Sequence, residues 1–248
     1  MNPFKYTTTV SFELSNLCSY AWYHKKCPLS LQYSSPFLLK DGQKVLSARI
    51  VRRVLRALGK YKYGGEINFH GYSEPLEDPR HISFVKYARE QCPKAFIYDY
   101  TNGRFFNKTV ADELAEAGSN CLIVGLYGSP EEMEIQEARI LEVESPLQIK
   151  IKRMFLDDRL ECYTRGEVNS EKPCDAPLGD VSITKDGEVR LCCYDWASKF
   201  TFGSLYEQTL PEILLSKEAQ TTFKRLQRGQ RFLDVCKRCQ VTRIGTVR

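Results

Sequence analysis

Residues 66–103, EINFHGYSEPLEDPRHISFVKYAREQCPKAFIYDYTNG, decide the fold. The runs at 66–71 and 95–100 have strand character, and the segment 81–92 between them has the apolar spacing of a helix. Two strands joined by a helix form a βαβ unit, in which the strands are parallel. Ligands of parallel sheets bind at the carboxyl ends of the strands, and here those ends carry the turns GYSEP and TNG.

The same alternation extends to both sides of this unit, and it predicts an α/β protein with a parallel sheet. At Ser129 the sequence Ser-Pro-Glu-Glu combines a capping box with proline at the first helical position. The further predicted strands are 8–14, 121–128 and 147–156, and the further predicted helices are 48–61, 107–118 and one that begins at Ser129.

The chain changes character near residue 157. Residues 180–193 are predicted to form a hairpin around Asp186-Gly187. Residues 209–229 begin with a Thr-x-x-Glu capping box and are predicted to form one amphipathic helix, which a CKRC turn follows. We therefore predict two domains, 1–160 and 161–248.

Composition indicates a globular protein with a sizeable core. The chain has 248 residues, 42% of them hydrophobic, and a net charge of +5. No signal sequence and no apolar run of membrane-spanning length is present, so we expect a cytoplasmic protein without a membrane partner. In a reducing compartment, ten cysteines favour metal or redox chemistry over disulfides.

Four cysteines in the C-terminal part have the spacing of a metal site. Cys174, Cys192 and the pair in CKRC, Cys236 and Cys239, would place four thiolates around zinc or an iron–sulfur cluster. Cys193 should point to the opposite face of its strand from Cys192, so only one of these two is expected to be a ligand.

Five motifs, taken together and in this order, resemble those of radical S-adenosylmethionine (radical SAM) enzymes with a C-terminal twitch domain, the shortened relative of SPASM. This resemblance implies a partial parallel (βα) barrel of five or six strands, followed by a twitch domain with one auxiliary cluster on the four cysteines. The motifs are SFELSNLC, INFHGYSEPLEDP, YTNGRFF, LIVGLYG and the segment from GDVSITKDGEVRLCCYDW to CKRC.

The resemblance also implies a binding site for S-adenosylmethionine. GYSEP stands where the family has a glycine-rich turn that receives the methionine amino group, although Ser73 here replaces a glycine. On its own, this pentapeptide indicates an ordinary strand-to-loop turn. The implied cofactor-binding residues are Gly71, Tyr72, Ser73, Glu74, Thr101, Asn102, Gly125 and Tyr127.

The loop that would hold the core cluster departs from the family. The family has C-x3-C-x2-C, whereas this chain has Cys18, then His24 after five residues, then Cys27. His24 is our predicted third ligand, although imidazole raises the potential of an iron–sulfur cluster. The alternatives are Cys92, Cys121 or a non-protein ligand in that position, or a site that has degenerated.

The implied chemistry uses S-adenosylmethionine and two [4Fe–4S] clusters, one in the core and one auxiliary. A 5′-deoxyadenosyl radical would abstract hydrogen from a small polar substrate, such as a sugar, aminocyclitol or nucleotide derivative. Oxidation or epimerisation would follow, and Cys162 and Cys193 are candidate hydrogen donors for epimerisation. A peptide-modifying enzyme and a non-catalytic iron–sulfur or zinc protein are the alternatives.

The implied partner is an external one-electron reductant of the flavodoxin or ferredoxin type. The segment 224–248 carries eight Lys/Arg against one acid, which indicates a solvated basic face or cations that balance a negatively charged cluster. No nucleic-acid motif accompanies it, so nucleic acid is not an expected partner.

Overall fold

The computed structural model describes residues 2–154 and 171–239. Within these ranges the strands are β1 Thr9–Phe12, β2 Tyr33–Ser35, β3 Leu38–Leu39, β4 Glu66–Asn68, β5 Phe96–Thr101, β6 Cys121–Leu126, β7 Gln148–Arg153, β8 Asp180–Ile183, β9 Glu188–Arg190 and β10 Thr201–Ser204. The α-helices are α1 Ala48–Lys60, α2 His81–Gln91, α3 Lys108–Glu116, α4 Pro130–Leu141, α5 Ala176–Gly179, α6 Leu210–Leu215, α7 Lys217–Gln227 and α8 Asp234–Lys237.

One large sheet organises the molecule. Its strand order is β10-β9-β8-β1-β4-β5-β6-β7. All neighbours from β8 to β7 are parallel, whereas β9 and β10 pair in antiparallel fashion. The predicted α/β fold with a partial parallel (βα) barrel is confirmed, and the predicted capping box at Ser129 begins α4.

The two faces of the sheet differ in chemistry. Val10 on β1, Ile67 on β4 and Leu122 on β6 are fully buried in the main core, together with Leu55 of α1 and Phe84 of α2. The alternate positions on the same strands point the other way, into the concave face of the sheet. Several of those positions are polar, which is unusual for parallel strands that are covered on both faces.

The C-terminal hairpin extends the barrel sheet. β8 lies beside β1 in parallel, with Val10 opposite Val181. The predicted hairpin is confirmed, and Gly187 in its turn has a φ of 77°, which glycine adopts readily. The predicted boundary between 1–160 and 161–248 lies outside the described residues, so the two-domain division stays a prediction.

The prediction of one helix over 209–229 is wrong. Ser216 has an extended ψ of 151° and separates α6 from α7. Its hydroxyl accepts a hydrogen bond from the Ala219 N–H, so it serves as the N-cap of the second helix. Apolar periodicity continues across this break, which explains why the sequence pattern did not reveal it. Among the described helices, none has the length and apolar character required to cross a bilayer.

Candidate active site

A cavity of about 460 Å³ lies at the concave face of the sheet, near the carboxyl ends of its central strands. Its wall includes every residue that the family resemblance assigned to the cofactor. These residues are Gly71, Tyr72, Ser73, Glu74, Thr101, Asn102, Gly125 and Tyr127. Cys18, His24, Cys27 and Cys193 line the same cavity. Most of the residues that the sequence singled out therefore converge on one place.

Glu74 connects two of the predicted cofactor-binding turns. One oxygen of its carboxylate accepts hydrogen bonds from the Thr101 hydroxyl at 2.6 Å and from the Leu76 N–H at 3.1 Å. The other oxygen accepts from the Asn102 N–H at 2.7 Å. Burial raises the pKa of Glu74 to about 7, although these hydrogen bonds oppose the rise. The carboxylate thus fixes the GYSEP turn against the TNG turn.

Gly125 lines the cavity, and a side chain at this position would fill the space beside it. A Cβ at this position would lie 2.9 Å from Met154 Cγ and 3.1 Å from Tyr127 Cε2. Gly103, in the TNG turn, has a φ of 74°, and a Cβ there would approach Val124 Cγ1 to 2.7 Å. Gly103 therefore suits the left-handed backbone of the TNG turn, and Gly125 suits a crowded position near the end of β6.

Three polar atoms in the cavity wall are available for a ligand. Asn68 Oδ1, Ser73 Oγ and Arg190 Nε are buried, and none has a hydrogen-bond partner among the described residues. Buried polar groups in proteins are almost always paired, so a cluster of such atoms in one cavity requires an explanation. A bound polar molecule would supply the missing hydrogen bonds.

The predicted core-cluster loop is a compact turn at the mouth of this cavity. The Cys18 N–H donates to the Tyr33 hydroxyl at 2.9 Å, and the Cys27 N–H donates to the His24 carbonyl at 2.9 Å. The His24 ring lies 5.9 Å from the ring of Tyr127. Burial raises the pKa of the Cys18 thiol to about 12, and Glu74 and Cys27 add smaller contributions.

The alternative thiol ligands lie elsewhere. Cys92 is buried at the end of α2, where its Sγ is 3.9 Å from the Leu55 carbonyl oxygen. Cys121 is buried at the start of β6 and packs with Tyr98 and Ile123. Neither lines the cavity that holds Cys18, so His24 stays our predicted third ligand.

The four C-terminal cysteines come close to one another. Burial raises the pKa of Cys236 to about 12, with a further contribution from Cys174 and a smaller one from Cys239. Burial likewise raises the pKa of Cys192 well above its usual range, and Cys193 and Cys236 contribute. These mutual effects indicate that the four thiols lie near one another, and their role as cluster ligands stays a prediction.

Arg231 supplies positive charge at the cysteine neighbourhood. Its guanidinium donates to the carbonyls of Lys172 at 2.7 Å and Cys239 at 3.1 Å, and the side chain is buried. Its charge lowers the pKa of Cys174 and of Cys236, against the larger effect of burial. Arg231, which belongs to the basic segment 224–248, would therefore balance part of the negative charge of a cluster bound by these thiols.

Neither cysteine group has the geometry of a preformed single-ion site. Among residues 2–154 and 171–239, no three His, Cys, Asp or Glu side chains converge closely enough to hold one metal ion. An iron–sulfur cluster is larger than a zinc ion, so its thiolate ligands stand further apart. The four C-terminal thiols stay the predicted ligands of the auxiliary cluster.

Cys192 and Cys193 face different surroundings, although β9 ends at Arg190 and the predicted strand does not reach them. Cys192 is buried in the cysteine neighbourhood, whereas Cys193 lines the cavity. The Tyr72 hydroxyl donates to the Cys193 carbonyl at 2.7 Å and joins the GYSEP turn to the hairpin. The other candidate hydrogen donor, Cys162, lies outside the described residues.

The sequence interpretation missed the residues of the cavity floor. Thr9 and Ser11 of β1 alternate with apolar residues that pack in the core, and Asp180 and Ser182 of β8 do the same. The polar residues of the floor could have been found from the alternation of polar and apolar residues in TVSF and DVSI. The pairing of β8 with β1 was needed, however, to assign β8 to the barrel. The floor residues are Thr9, Ser11, Asn68, Tyr98, Tyr100, Asp180 and Ser182.

Two charged groups on the hairpin side were also unforeseen. Arg190 is buried, forms an ion pair with Glu13 and lies over the Tyr72 ring at 5.5 Å. Asp180 accepts a hydrogen bond from the Ser11 hydroxyl at 3.4 Å. Burial raises the pKa of Asp180 to about 6, against smaller opposing effects that include a backbone hydrogen bond from Cys193 and the charge of Arg190.

His70 brings an imidazole into the cavity wall. Its Nδ1 lies 3.5 Å from the buried Asp99 carboxylate, which also pairs with His81 Nε2 at 2.7 Å. Burial alone would raise the pKa of Asp99, but the two imidazoles outweigh it and lower the pKa. Asp99 therefore stays ionised beside the His70 ring.

Comparison with known proteins supports this assignment of the C-terminal part. A family model described as SPASM, an iron–sulfur cluster-binding domain, matches residues 174–240. A curated relative from Niallia circulans, S-adenosyl-L-methionine-dependent 2-deoxy-scyllo-inosamine dehydrogenase, is 25% identical over 98% of this chain and 96% of its own length.

Solved structures show the same fold. BtrN in complex with AdoMet and 2-DOIA superimposes with a TM-score of 0.73, at 23% identity over 95% of this chain and 94% of BtrN. A structure of anSMEcpe with bound AdoMet has a TM-score of 0.55, at 13% identity over 94% of this chain and 88% of that protein. The similarity extends across both the barrel and the C-terminal hairpin.

Proposed function

We propose that this chain, which is a radical SAM enzyme with a C-terminal SPASM/twitch-type domain, oxidises a hydroxyl-bearing carbon of a small aminocyclitol. The observation that carries the proposal is the group of three unpartnered polar atoms, Asn68 Oδ1, Ser73 Oγ and Arg190 Nε, in one small cavity. That cavity lies between the predicted core-cluster loop and the hairpin of the SPASM-type domain.

The residues present suit the groups that this chemistry requires. Cys18, His24 and Cys27 would hold the core [4Fe–4S] cluster, and the C-terminal thiols would hold the auxiliary one. The space beside Gly125 and the Ser73 hydroxyl would accept S-adenosylmethionine. When bound and reduced, these groups supply a 5′-deoxyadenosyl radical that removes one hydrogen atom from the substrate.

The cavity floor is suited to bind a polyol that carries an amine. The hydroxyls of Thr9, Ser11 and Ser182 and the amide of Asn68 can exchange hydrogen bonds with substrate hydroxyls. Asp180 is a buried carboxylate in the same floor, and a protonated amine would be its natural partner. These residues would fix which carbon of the ring faces the cofactor turns.

Oxidation of an alcohol also releases the hydroxyl proton, which needs an acceptor. We assign that role to His70, because its ring lines the cavity and lies beside the ionised Asp99 carboxylate. Tyr98 and Tyr100 hold the ring, with centroid distances of 5.7 and 5.1 Å. The second electron of the oxidation would leave toward the SPASM-type domain through the wall that contains Cys193.

Cavity size favours a small substrate over a peptide. At about 460 Å³ the cavity is near the lower end of the range for ligand pockets, roughly 300–1,000 Å³. The curated relative from Niallia circulans is a dehydrogenase named for an inosamine. We therefore place oxidation ahead of epimerisation, and retain Cys193 as the hydrogen donor that epimerisation would need.

The proposal includes a cytoplasmic enzyme that receives electrons from a flavodoxin or a ferredoxin. It is tested by anaerobic reconstitution with iron and sulfide, followed by reaction with deuterated 2-deoxy-scyllo-inosamine and related aminocyclitols. We expect about eight irons per chain, because two four-iron clusters are required. Deuterium should appear in 5′-deoxyadenosine, and the substrate should become a ketone.

Two results would count against the proposal. About four irons and no cleavage of S-adenosylmethionine with dithionite would indicate a non-catalytic iron–sulfur protein. Cleavage without deuterium transfer from any aminocyclitol, together with transfer from another class of substrate, would preserve the radical chemistry but overturn the substrate class.

A further inference from the structure

Two helices in the outer layer of the barrel carry opposite charges. Helix α1 contains five Lys/Arg residues and no acidic residue. Residues 130–144, which include helix α4, contain six glutamates and one cation, Arg139. The net charge of +5 conceals this segregation, which gives two parts of the surface local fields of opposite sign.

The cations of α1 lie on its outer face. Their spacing of three and four residues places them on one side of the helix, and the opposite side, with Val51, Leu55 and Leu58, is buried in the core. Four of the five are exposed, and none forms an ion pair with a carboxylate in the described part of the chain. The set, which we call the basic stripe, is Arg49, Arg52, Arg53, Arg56 and Lys60.

Helix α4 presents the complementary face. Ile135 and Leu141 are 73% and 70% exposed, and no large apolar side chain among the described residues is more exposed. By helical spacing Glu131, Glu134 and Glu142 lie on the same face, and within the described ranges these carboxylates form no ion pair. We call these five residues the acidic stripe. Exposed apolar side chains that are grouped within a rim of charge mark an interaction site.

The two stripes of one chain cannot contact each other. Helix α1 connects β1 to β4 and helix α4 connects β6 to β7, so α2 and α3 lie between them in the outer layer. Packed helices have axes about 8–10 Å apart, and three such steps separate α1 from α4 by roughly 25–30 Å. A stripe on another molecule can satisfy each of them, and the two are opposite in sign.

We infer that the basic stripe of one copy of this chain docks on the acidic stripe of a second copy. The methylene groups of the arginines cover the side chains of Ile135 and Leu141, and the guanidinium groups pair with the glutamates. Because the two surfaces differ, the contact is heterologous, and each added copy leaves one stripe available for the next. Both helices pack on the face of the sheet opposite the cavity, so this assembly leaves the cavity accessible.

Salt dependence distinguishes this contact from a purely apolar one. Exposed ion pairs are individually weak, so the contact needs several of them together with the apolar area of Ile135 and Leu141. Salt screens exposed charges, so association through the two stripes should weaken as ionic strength rises. Association through apolar area alone would persist in salt, because salt also screens the repulsion between copies that each carry a net charge of +5.

The test is sedimentation velocity of the reconstituted protein over a wide range of concentration, at low and high salt. One variant, Arg52→Gln/Arg56→Gln, neutralises part of the basic stripe, and another, Glu134→Gln/Glu142→Gln, neutralises part of the acidic stripe. The matched controls are Lys224→Gln and Glu218→Gln, at exposed positions of α7. Glutamine is a good helix former, and circular dichroism verifies that every variant keeps the parent's helix content.

We expect the parent and both controls to associate at low salt, and each stripe variant to associate about tenfold more weakly. An equimolar mixture of the two stripe variants should form a 1:1 complex that grows no further, because only one intact basic stripe and one intact acidic stripe remain in it.

Three outcomes would overturn the inference. The parent could stay monomeric at every concentration at low salt. It could associate as strongly in high salt, or as strongly after either pair of substitutions, which would assign the contact to another surface. The mixture of stripe variants could fail to form the 1:1 complex, which would exclude a contact between unlike stripes. None of these outcomes depends on the proposed reaction, since sedimentation is measured without substrate.

Discussion

The Tyr72 hydroxyl donates a 2.7 Å hydrogen bond to the carbonyl oxygen of Cys193. Tyr72 belongs to the turn after β4, and Cys193 lies in the segment that connects β9 to β10. Arg190 lies over the ring of Tyr72 and pairs with Glu13, which adds a second connection. The two sides of the cavity are therefore joined at the point where substrate would lie between them.

Replacement Tyr72→Phe should weaken that connection without altering the fold. We expect a loss of about 1 kcal/mol in the free energy of unfolding, the usual value for one hydrogen bond. Substrate would be held less accurately, so the ratio of 5′-deoxyadenosine to oxidised product should rise. Both compounds are quantified by chromatography, and Tyr206→Phe, at an exposed tyrosine, is the control. An unchanged ratio would show that the hydrogen bond does not position the substrate.

The buried Glu74 carboxyl should make stability depend on pH. Its pKa rises from 4.5 to about 7 in the folded protein, so the folded state holds the proton more tightly than the unfolded state. Its contribution is full at pH values below 4.5 and is lost as the pH rises through about 7. The change amounts to something on the order of 3 kcal/mol.

Glu74→Gln tests this by removing the ionisation. The free energy of unfolding of the parent, measured by urea titration, should fall between pH 4.5 and about 7 more steeply than that of the variant. Glu207→Gln, at an exposed carboxylate, should retain the parent slope. Equal slopes in the parent and Glu74→Gln would contradict the buried pKa.

Gly125→Ala should obstruct the cofactor side of the cavity. The added methyl group would lie 2.9 Å from Met154 Cγ, which forces a shift of that side chain or of Tyr127. We expect S-adenosylmethionine to bind about tenfold more weakly, as measured by equilibrium dialysis. Gly64→Ala is the matched control, since its Cβ would meet Lys94 Cβ at an ordinary 3.7 Å. Equal affinities in the two variants would exclude Gly125 from the cofactor site.

Substitutions of the adjacent cysteines Cys192 and Cys193 should affect the iron content of the protein differently. Cys192→Ser removes a thiol from the C-terminal neighbourhood, and we expect about four irons per chain after reconstitution. Cys193→Ser leaves that neighbourhood intact, so about eight irons should remain. If Cys193 were a hydrogen donor in an epimerisation, its variant would also abolish incorporation of solvent deuterium into product. Equal iron loss in both variants would contradict the assignment of Cys192, rather than Cys193, as the cluster ligand.

The third ligand of the core cluster is tested at His24. If the imidazole binds iron, His24→Ala should lower core-cluster occupancy, whereas His24→Cys should preserve it and shift the cluster's reduction potential to a lower value. Cys18→Ala provides the reference for complete loss of the core cluster, and Cys92→Ser provides the reference for unchanged occupancy. Occupancy is measured by Mössbauer spectroscopy. Unchanged occupancy in both His24 variants would exclude it as a ligand.

The sequence alone predicted the parallel strands, the crossover helices and the turns GYSEP and TNG of the cavity wall. Helix α1 and the capping box at Ser129 could be read directly, because local periodicity and capping chemistry are encoded in neighbouring residues. Motif order also placed Gly71 and Gly125 at one site. Such features require no knowledge of pairing between distant segments.

Features that depend on distant contacts were missed. Ser216 interrupts the predicted helix because its hydroxyl caps a new one, and the apolar pattern runs across the break. The roles of Asp180 and Arg190 depend on the pairing of β8 with β1, which joins segments 171 residues apart. Periodicity cannot reveal such a pairing, since each strand has the same pattern whether or not its neighbour is known.

The position of β8 beside β1 has a consequence for synthesis of the chain. β1 leaves the ribosome well before β8, so one of its edges stays unpaired until residues 180–183 have emerged. An unpaired strand edge is prone to association with other chains. Truncation before the hairpin would make that exposure permanent, so the barrel segment cannot be expressed alone without risk of aggregation.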